Sequence, residues 1–452
     1  MKYTLLTITL LLASLLTEAR KVTLVPNQGA GYATNNPNSF LPGDTVLILN
    51  SKTMSYISLT NQHGTSLQPI VFMNSGGQVQ MIDGFAIENC TYVKVLGIGA
   101  KDNFGFHIQD PNSNGTAITI FGRSAGIEVS NIDIYHKTYG FWVKEEQTCY
   151  DSLNAITPTN PNGWTINHIS IHDNRIIKTN QEGMYLGSTD PNGARGVRCS
   201  IKINGKDTMV TQYPIAERLS DIQVYNNWID STNRSGIQLS GGTGTGNRIY
   251  NNHVTHCGFE DNTAQGAGIW FGGFTNGKID HNFISSTFLS GIFLLGAGWQ
   301  YVDSNTIDSS GMLGSLRANG MAGIAADTRR TGNPVDSAYV SIVGNIIHRN
   351  TDTTIHVMDT YCCYCKGNVI CGNYGVNPAN FNIIPTLPKI DATNVTLDKN
   401  NVPFTFTSAC NAVVPPPVIV PIWDTTNLGA MNVKSVLKID SNGVTKSYIF
   451  KL

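Results

Sequence analysis

Ile222-Gln223-Val224-Tyr225-Asn226-Asn227-Trp228-Ile229-Asp230, followed by Gly236-Ile237-Gln238-Leu239, is the stretch whose reading decides the fold. An apolar-x-apolar run, an asparagine, an apolar residue two positions on, and Gly-apolar-x-apolar at a fixed distance make one phrase that recurs along the chain. It returns at Ile127-Glu128-Val129 with Asn131 and Gly140, and at Ile169-Ser170-Ile171 with Asn174 and Gly183. Weaker or longer copies centre on Asn252 with Gly268, Asn282 with Gly291, Asn305 with Gly323, and Asn345, where Thr354 takes the glycine position.

Two short period-2 apolar runs per repeat, at 23 to 30 residues in the tightest copies, are what a stacked coil of parallel strands requires. No single coil can bury its own apolar face. Stacking sets Ile over Ile and Val over Val, so each inward position continues a column. The asparagine falls at the turn between two strands, where its side chain can bond the same turn in the coils above and below. Asparagine also tolerates the left-handed backbone of such a corner. The expectation is an all-β chain, a right-handed single-stranded parallel β-helix with a short C-terminal hairpin tail.

Composition narrows the function. Only 13% of residues are charged and the formal net charge is −1, whereas neutralising nucleic-acid phosphates needs a clear Lys/Arg excess. Nucleic acid is therefore not the expected partner. Met1-Lys2 and the apolar run Leu5 to Leu16, with small residues at Thr17 and Ala19, read as a signal peptide over 1–19. That run is shorter than the ~20 apolar residues of a bilayer span, and no later one reaches that length. A secreted or periplasmic monomer without a transmembrane anchor is expected.

Nine cysteines in an exported chain favour disulfides. Cys149 and Cys199 lie in the long loops after successive coils and are placed to staple them. Cys362, Cys363, Cys365 and Cys371 lack the paired C-x2-C spacing of a zinc site and read as disulfides or a buried stack. The helix is assigned to 20–414, opening with irregular coils through Val46-Leu47-Ile48-Leu49 and Ile70-Val71-Phe72, and closing with 374–414 as a cap on the open end. Pro-rich 415–421 is a stiff linker. The tail, 422–452, holds a β-hairpin around Asp440-Ser441-Asn442-Gly443.

In the strand after each glycine, alternation turns the second residue outward. Along successive coils that position reads Trp142, Tyr185, Gln238, Trp270, Phe293, Ala325, His356. Coils stack at ~4.8 Å, close to one sugar unit, so the sheet is expected to offer a ladder of flat apolar faces to a polysaccharide. Long loops at 145–165, 188–220, 257–267 and 310–322 rise beside it, and such loops commonly carry sites.

Lys144 is the outward fourth residue of the Trp142 strand, one coil from Glu182, which precedes Gly183-Met184-Tyr185. A lysine desolvated by aromatics can serve as a base, a carboxylate beside it as acid, base or orienting group, and the plain alternative is a cross-coil ion pair. Arg195, Arg198 and Arg218 sit in the loop after the same coil and could clamp a substrate carboxylate. His253, His256 and His281 lie near the asparagine turn in neighbouring coils and read first as turn residues.

The repeat pattern over roughly residues 40 to 373 resembles the pectate-lyase-like β-helix superfamily, which holds polysaccharide lyases, glycoside hydrolases, uronan epimerases and non-catalytic surface proteins. The subfamily motifs do not carry over. Ile279-Asp280-His281 is similar to part of a pectate lyase signature but falls on repeat positions, and no Arg-x-Pro-x-x-Arg follows. Asn350-Thr351-Asp352 resembles the first polygalacturonase motif, yet that family's other motifs are missing.

Three functions stay open. A lyase would cleave a uronic-acid polymer with Lys144 or Tyr185 as base and arginine or Ca2+ neutralising the sugar carboxylate. A hydrolase would use two carboxyls, Glu182 with Glu145, Glu146 or the more distant Asp327. A glycan-binding or adhesive protein would need only the ladder of Trp142, Gln238, Trp270 and Phe293. The lyase ranks first, because a lysine sits on the aromatic strand beside an arginine-rich loop.

Overall fold

The computed structural model describes residues 19–348 except 38, 99–103, 113, 146–148, 150–164, 190–195, 204–205, 215, 261–264, 312–321 and 328–337. Beyond 348 it describes strand segments alone. The signal segment, Glu146, Arg195, Thr354, the clustered cysteine side chains and the Pro-rich linker lie outside the described residues.

The chain is a right-handed parallel β-helix. Each regular coil contributes three strands. The first precedes the asparagine, as in Thr165–His172; the second follows it, as in Arg175–Thr179; the third follows the glycine, as in Met184–Leu186. Stacked in parallel, they build three sheets, of which the second and third merge at the long strand Val79–Glu88. Among the described residues no helix interrupts this order. Thr45–Leu49, Ile70–Ser75 and Val93–Leu96 form opening rungs of the first sheet, as their apolar runs imply.

The columns expected from the repeat are present in strict register. Val95, Val129, Ile171, Val224, Ile249, Ile279, Val302 and Ile342 stand over one another in the first sheet, all fully buried. Ile134, Ile176, Ile229, Val254, Ile284, Ile307 and Ile347 do the same in the second. Each such side chain contributes ~1.5–3 kcal/mol of burial, which the low charge content leaves room for.

The asparagines form a continuous buried ladder. Asn174, Asn227, Asn252, Asn282 and Asn305 each pass a side-chain amide hydrogen bond of 2.9–3.0 Å to the next asparagine, ending at Asn345. The same carbonyl oxygens accept the backbone N–H of the preceding asparagine. Two details of the sequence reading are corrected. The left-handed corner is the residue before the ladder asparagine, at Asp173, Asn226, Asn251, His281, Ser304 and Gly344. Asn131 is itself such a corner, and Ile132 holds its coil's ladder position, its N–H donating to Asn174 Oδ1 at 3.0 Å. The cause is visible in the chain: one residue, Ser130, separates Val129 from Asn131, where the other copies have two.

The glycines are required by close approach. A Cβ on Gly183, Gly236 or Gly268 would lie 2.6, 2.7 or 2.8 Å from the carbonyl oxygen of the next glycine in the column. On Gly268 it would also meet Ile284 Cγ2 at 2.4 Å. Gly268→Ala is therefore expected to cost about 1–3 kcal/mol through overpacking. That would appear as a lower urea midpoint at constant slope, and an unmoved midpoint would show slack between coils.

Parallel pairing continues past the clear repeats. Ile346 pairs with Tyr374, Ile355 with Val395 and Val369 with Thr405, so further rungs stack within the span read as a cap. Val436–Ser441 and Val444–Ile449 pair antiparallel, as a hairpin turning at Asn442-Gly443 would.

Candidate functional site

The third sheet aligns the outward residues as its alternation implies. Trp142 pairs with Tyr185, Tyr185 with Gln238, Gln238 with Trp270, Trp270 with Phe293, Phe293 with Ala325 and Ala325 with His356. What they present differs from the flat ladder expected. Trp142 and Tyr185 meet edge to face, 5.0 Å apart at 87°, as do Trp270 and Phe293, 4.7 Å apart at 70°. Tyr185, Trp270 and Gln238 are buried. Rings one coil apart gain from the T-shaped arrangement, which sets edge against π-face. Longer parallel stacks occur on the other two sheets, in Trp228–His253–Phe283 and His172–Tyr225–Tyr250, whereas the third has the stacked pair Tyr139–Tyr185.

Lys144 is buried where the Tyr139–Val143 strand ends. Its Nζ stands 4.4 Å from the Trp142 ring centre and 4.5 Å from that of Tyr185. Two ring faces thus attract one ammonium. Tyr139 closes the aromatic group, 4.7 Å from Trp142.

Two glutamates flank this lysine. Glu182 ends the turn between the second- and third-sheet strands of its coil, and its side chain is fully buried. Neither carboxylate oxygen has a hydrogen-bond partner among the described residues. Burial pushes its carboxyl up to about 7, opposed by its own amide and by the positive fields of Arg234 and Lys144, and helped by Glu260. Arg234 sits in the turn of the next coil, its N–H donating to Gln181 O at 3.3 Å. Its guanidinium is paired with Glu260 at 2.5 Å.

Glu217 stands on the other edge, immediately before the first-sheet strand Arg218–Tyr225. It too is fully buried, with both oxygens unpartnered among the described residues. Burial pushes it up to about 8, against its own amide, the Lys144 ammonium and the Glu145 amide, while the Glu145 charge adds to the rise. Glu145 Oε2 accepts the Gly122 N–H at 3.1 Å. Lys144 thus faces both buried acids, each with its own acidic neighbour.

Other buried polar atoms along the strip lack partners among the described residues: Ser235 Oγ, Gln238 Oε1 and Trp270 Nε1. Buried polar atoms are ordinarily bonded, so a run of exceptions beneath one sheet face marks where a polar ligand would complete them.

The disulfide Cys149–Cys199 joins the loop after Lys144 to the antiparallel hairpin Val197–Ile203 and Lys206–Gln212, as the loop positions implied. Arg198, on that hairpin, and Arg218 are exposed. The arginine acting on Glu182 is Arg234, which the sequence reading passed over along with Glu217. Asp327 lies four strands beyond Tyr185 in the third sheet. At ~4.8 Å per strand it is outside the ~6.5–9.5 Å of a hydrolytic pair. The histidines are dispersed: His253 is stacked between Trp228 and Phe283, with burial pushing it down to about 4; His256 bonds Asp230; His281 bonds Asp280. Asp280, fully buried, is held by Arg248, so Ile279-Asp280-His281 serves the first sheet and its corner.

Comparison with known proteins adds little to this geometry. A family model described as "Disaggregatase related" matches residues 219–319, well under half of the chain. No curated protein matches the sequence. Among solved structures the chain is similar to an alginate lyase from a Paenibacillus species, at 10% identity and TM-score 0.34, over 79% of this chain and 95% of that one. It is similar to a mannuronic acid specific polysaccharide family 6 lyase from human gut microbiota, at 11% identity and TM-score 0.39, over 75% and 66%. It is also similar to the A-module of the Azotobacter vinelandii mannuronan C-5 epimerase AlgE6, at 12% identity and TM-score 0.39, over 80% and 92%. Likenesses this slight carry no argument about chemistry; the strand registers assign the fold.

Proposed function

We propose that the protein is an exported polysaccharide lyase that cleaves a uronic-acid-containing polymer by β-elimination. Glu182 carries the reading: a buried, unpartnered carboxyl poised near neutral pH, in the field of two cations at the aromatic strip. A base works best with a pKa near the operating pH. Glu182 takes the proton from the carbon next to the sugar carboxylate. Lys144 and Arg234 face that carboxylate and stabilise the negative charge developing on it.

Tyr185 and Trp142 hold the Lys144 ammonium between their rings. Gln238, Trp270 and Phe293 line the polymer's path, with Gln238 Oε1 accepting and Trp270 Nε1 donating a hydrogen bond, and the exposed Arg198 and Arg218 form a basic rim. The disulfide is in keeping with an oxidising compartment outside the cytoplasm.

One physical point ranks the reading above hydrolysis. Glycoside hydrolysis develops positive charge on the sugar, which Lys144 and Arg234 would repel, whereas elimination develops negative charge. Calcium does not fit these two carboxylates, Glu182 and Glu217, since it takes six to eight oxygens and each of them faces a cation. Among the described residues no group of three or more His, Cys, Asp or Glu side chains is placed to hold a metal ion.

The test is to incubate the purified protein with acidic and neutral polysaccharides, with and without calcium, following ultraviolet absorbance and reducing ends together. Both are expected to rise on a uronan, since elimination leaves an unsaturated uronate. Reducing ends alone would mean hydrolysis, and silence across the panel a binding or adhesive role. Lys144→Ala is expected to lower kcat/KM by about 10²–10³ with the fold intact by circular dichroism; retained turnover would remove Lys144 from the mechanism.

A further inference from the structure

We propose that Glu217 is the second proton-transfer group of this site, the acid that protonates the departing glycosidic oxygen. The inference rests on the lyase reading and extends it to a residue at the end of a long loop. Two observations carry it. Glu217 is fully buried with both carboxyl oxygens unpartnered among the described residues, a costly arrangement that a substrate oxygen would relieve. It also immediately precedes the first-sheet strand Arg218–Tyr225, while Glu182 leads into the third-sheet strand Met184–Leu186 of the coil before, and the Lys144 charge acts on both.

The groups facing Glu217 are Lys144 and Glu145; those facing Glu182 are Arg234, Glu260 and Lys144. Burial keeps the Glu217 proton in place, and the Glu145 charge adds to it. Near neutral pH Glu217 then holds its proton longer than Glu182 does, the order that an acid and a base acting together require.

The step balances. The C5–H bond breaks and its proton goes to the Glu182 carboxylate. The electron pair left on C5 becomes the C4=C5 double bond as the C4–O bond breaks. The oxygen leaves with that bond's pair and takes the proton of Glu217. Solvent exchange then returns Glu182 to carboxylate and Glu217 to acid.

Leaving-group chemistry tests this. A 4-nitrophenyl ether at O4 of a uronate departs as a phenolate that needs no proton, whereas the polymer departs as an alkoxide that does. Glu217→Gln is expected to cut kcat on the cleaved polymer at least ~10²-fold and to leave the nitrophenyl substrate within a few-fold of wild type. In the wild type, the fall in kcat above pH 8 should appear with the polymer and vanish with the nitrophenyl ether. Equal losses on both substrates would make Glu217 a packing residue, and undiminished polymer cleavage would make it a bystander; either overturns the proposal. Should Glu217→Gln not fold, the wild-type pH comparison decides alone, a fall above pH 8 shared by both substrates counting against Glu217. Wild-type silence on every uronan would instead remove the lyase reading, and this inference with it.

Discussion

Glu182→Gln is expected to lower kcat/KM on the cleaved uronan by about 10³-fold, in the range that a positioned base contributes, while the variant still folds and binds the polymer. Glutamine keeps the shape of the side chain and its hydrogen-bonding capacity but cannot accept the C5 proton. The wild-type profile should rise with pH through about 7, the value to which burial carries Glu182, because the base must first lose its own proton. In the variant that rise should be gone from whatever activity survives. A variant retaining more than a tenth of wild-type kcat/KM, or the same acid limb, would move the base elsewhere, with Tyr185 the next candidate on the strip.

How much of this was legible follows from where each residue sits in the repeat. Core columns and the asparagine ladder were readable, because stacking forces one residue type to recur at one position. The misplacement of Asn131 arose from counting to the glycine instead of from the apolar run, which is one residue closer there. Trp142, Tyr185, Gln238, Trp270 and Phe293 were legible as one outward row, since period-2 alternation fixes the face. Their ring orientations were not, because edge-to-face packing is set by neighbours in three dimensions.

Lys144 and Glu182 were readable from the same alternation and from adjacency to the glycine column. Arg234 had an available signal, since it stands two residues before Gly236 as Gln181 does before Gly183. Glu217 had none: it ends a long insertion, outside any repeat position, and only the return of the chain to the first sheet brings it to Lys144.

The same two glutamates should make the folded protein less stable as pH rises. Unfolded, each ionises near 4.5; folded, Glu182 does so at about 7 and Glu217 at about 8. Between those values the native state holds more protons than the unfolded one, so unfolding free energy falls with rising pH. Their contribution is intact below about pH 4.5, declines through the window from 4.5 to 8, and is flat above. At 1.36 kcal/mol per pKa unit the loss is about 3 kcal/mol for Glu182 and about 5 kcal/mol for Glu217. His172, raised to about 9 by Asp173 and Glu128 against the pull of burial, also destabilises as pH rises. It does so equally in wild type and variant. The informative quantity is therefore the difference in urea unfolding free energy between the wild type and Glu182→Gln/Glu217→Gln across pH 5 to 9. That difference should grow by several kcal/mol in the variant's favour, whatever constant offset the buried amides introduce. A difference that stays level would mean that neither carboxyl is held protonated by the fold, and would remove the proton that the elimination chemistry assigns to Glu217.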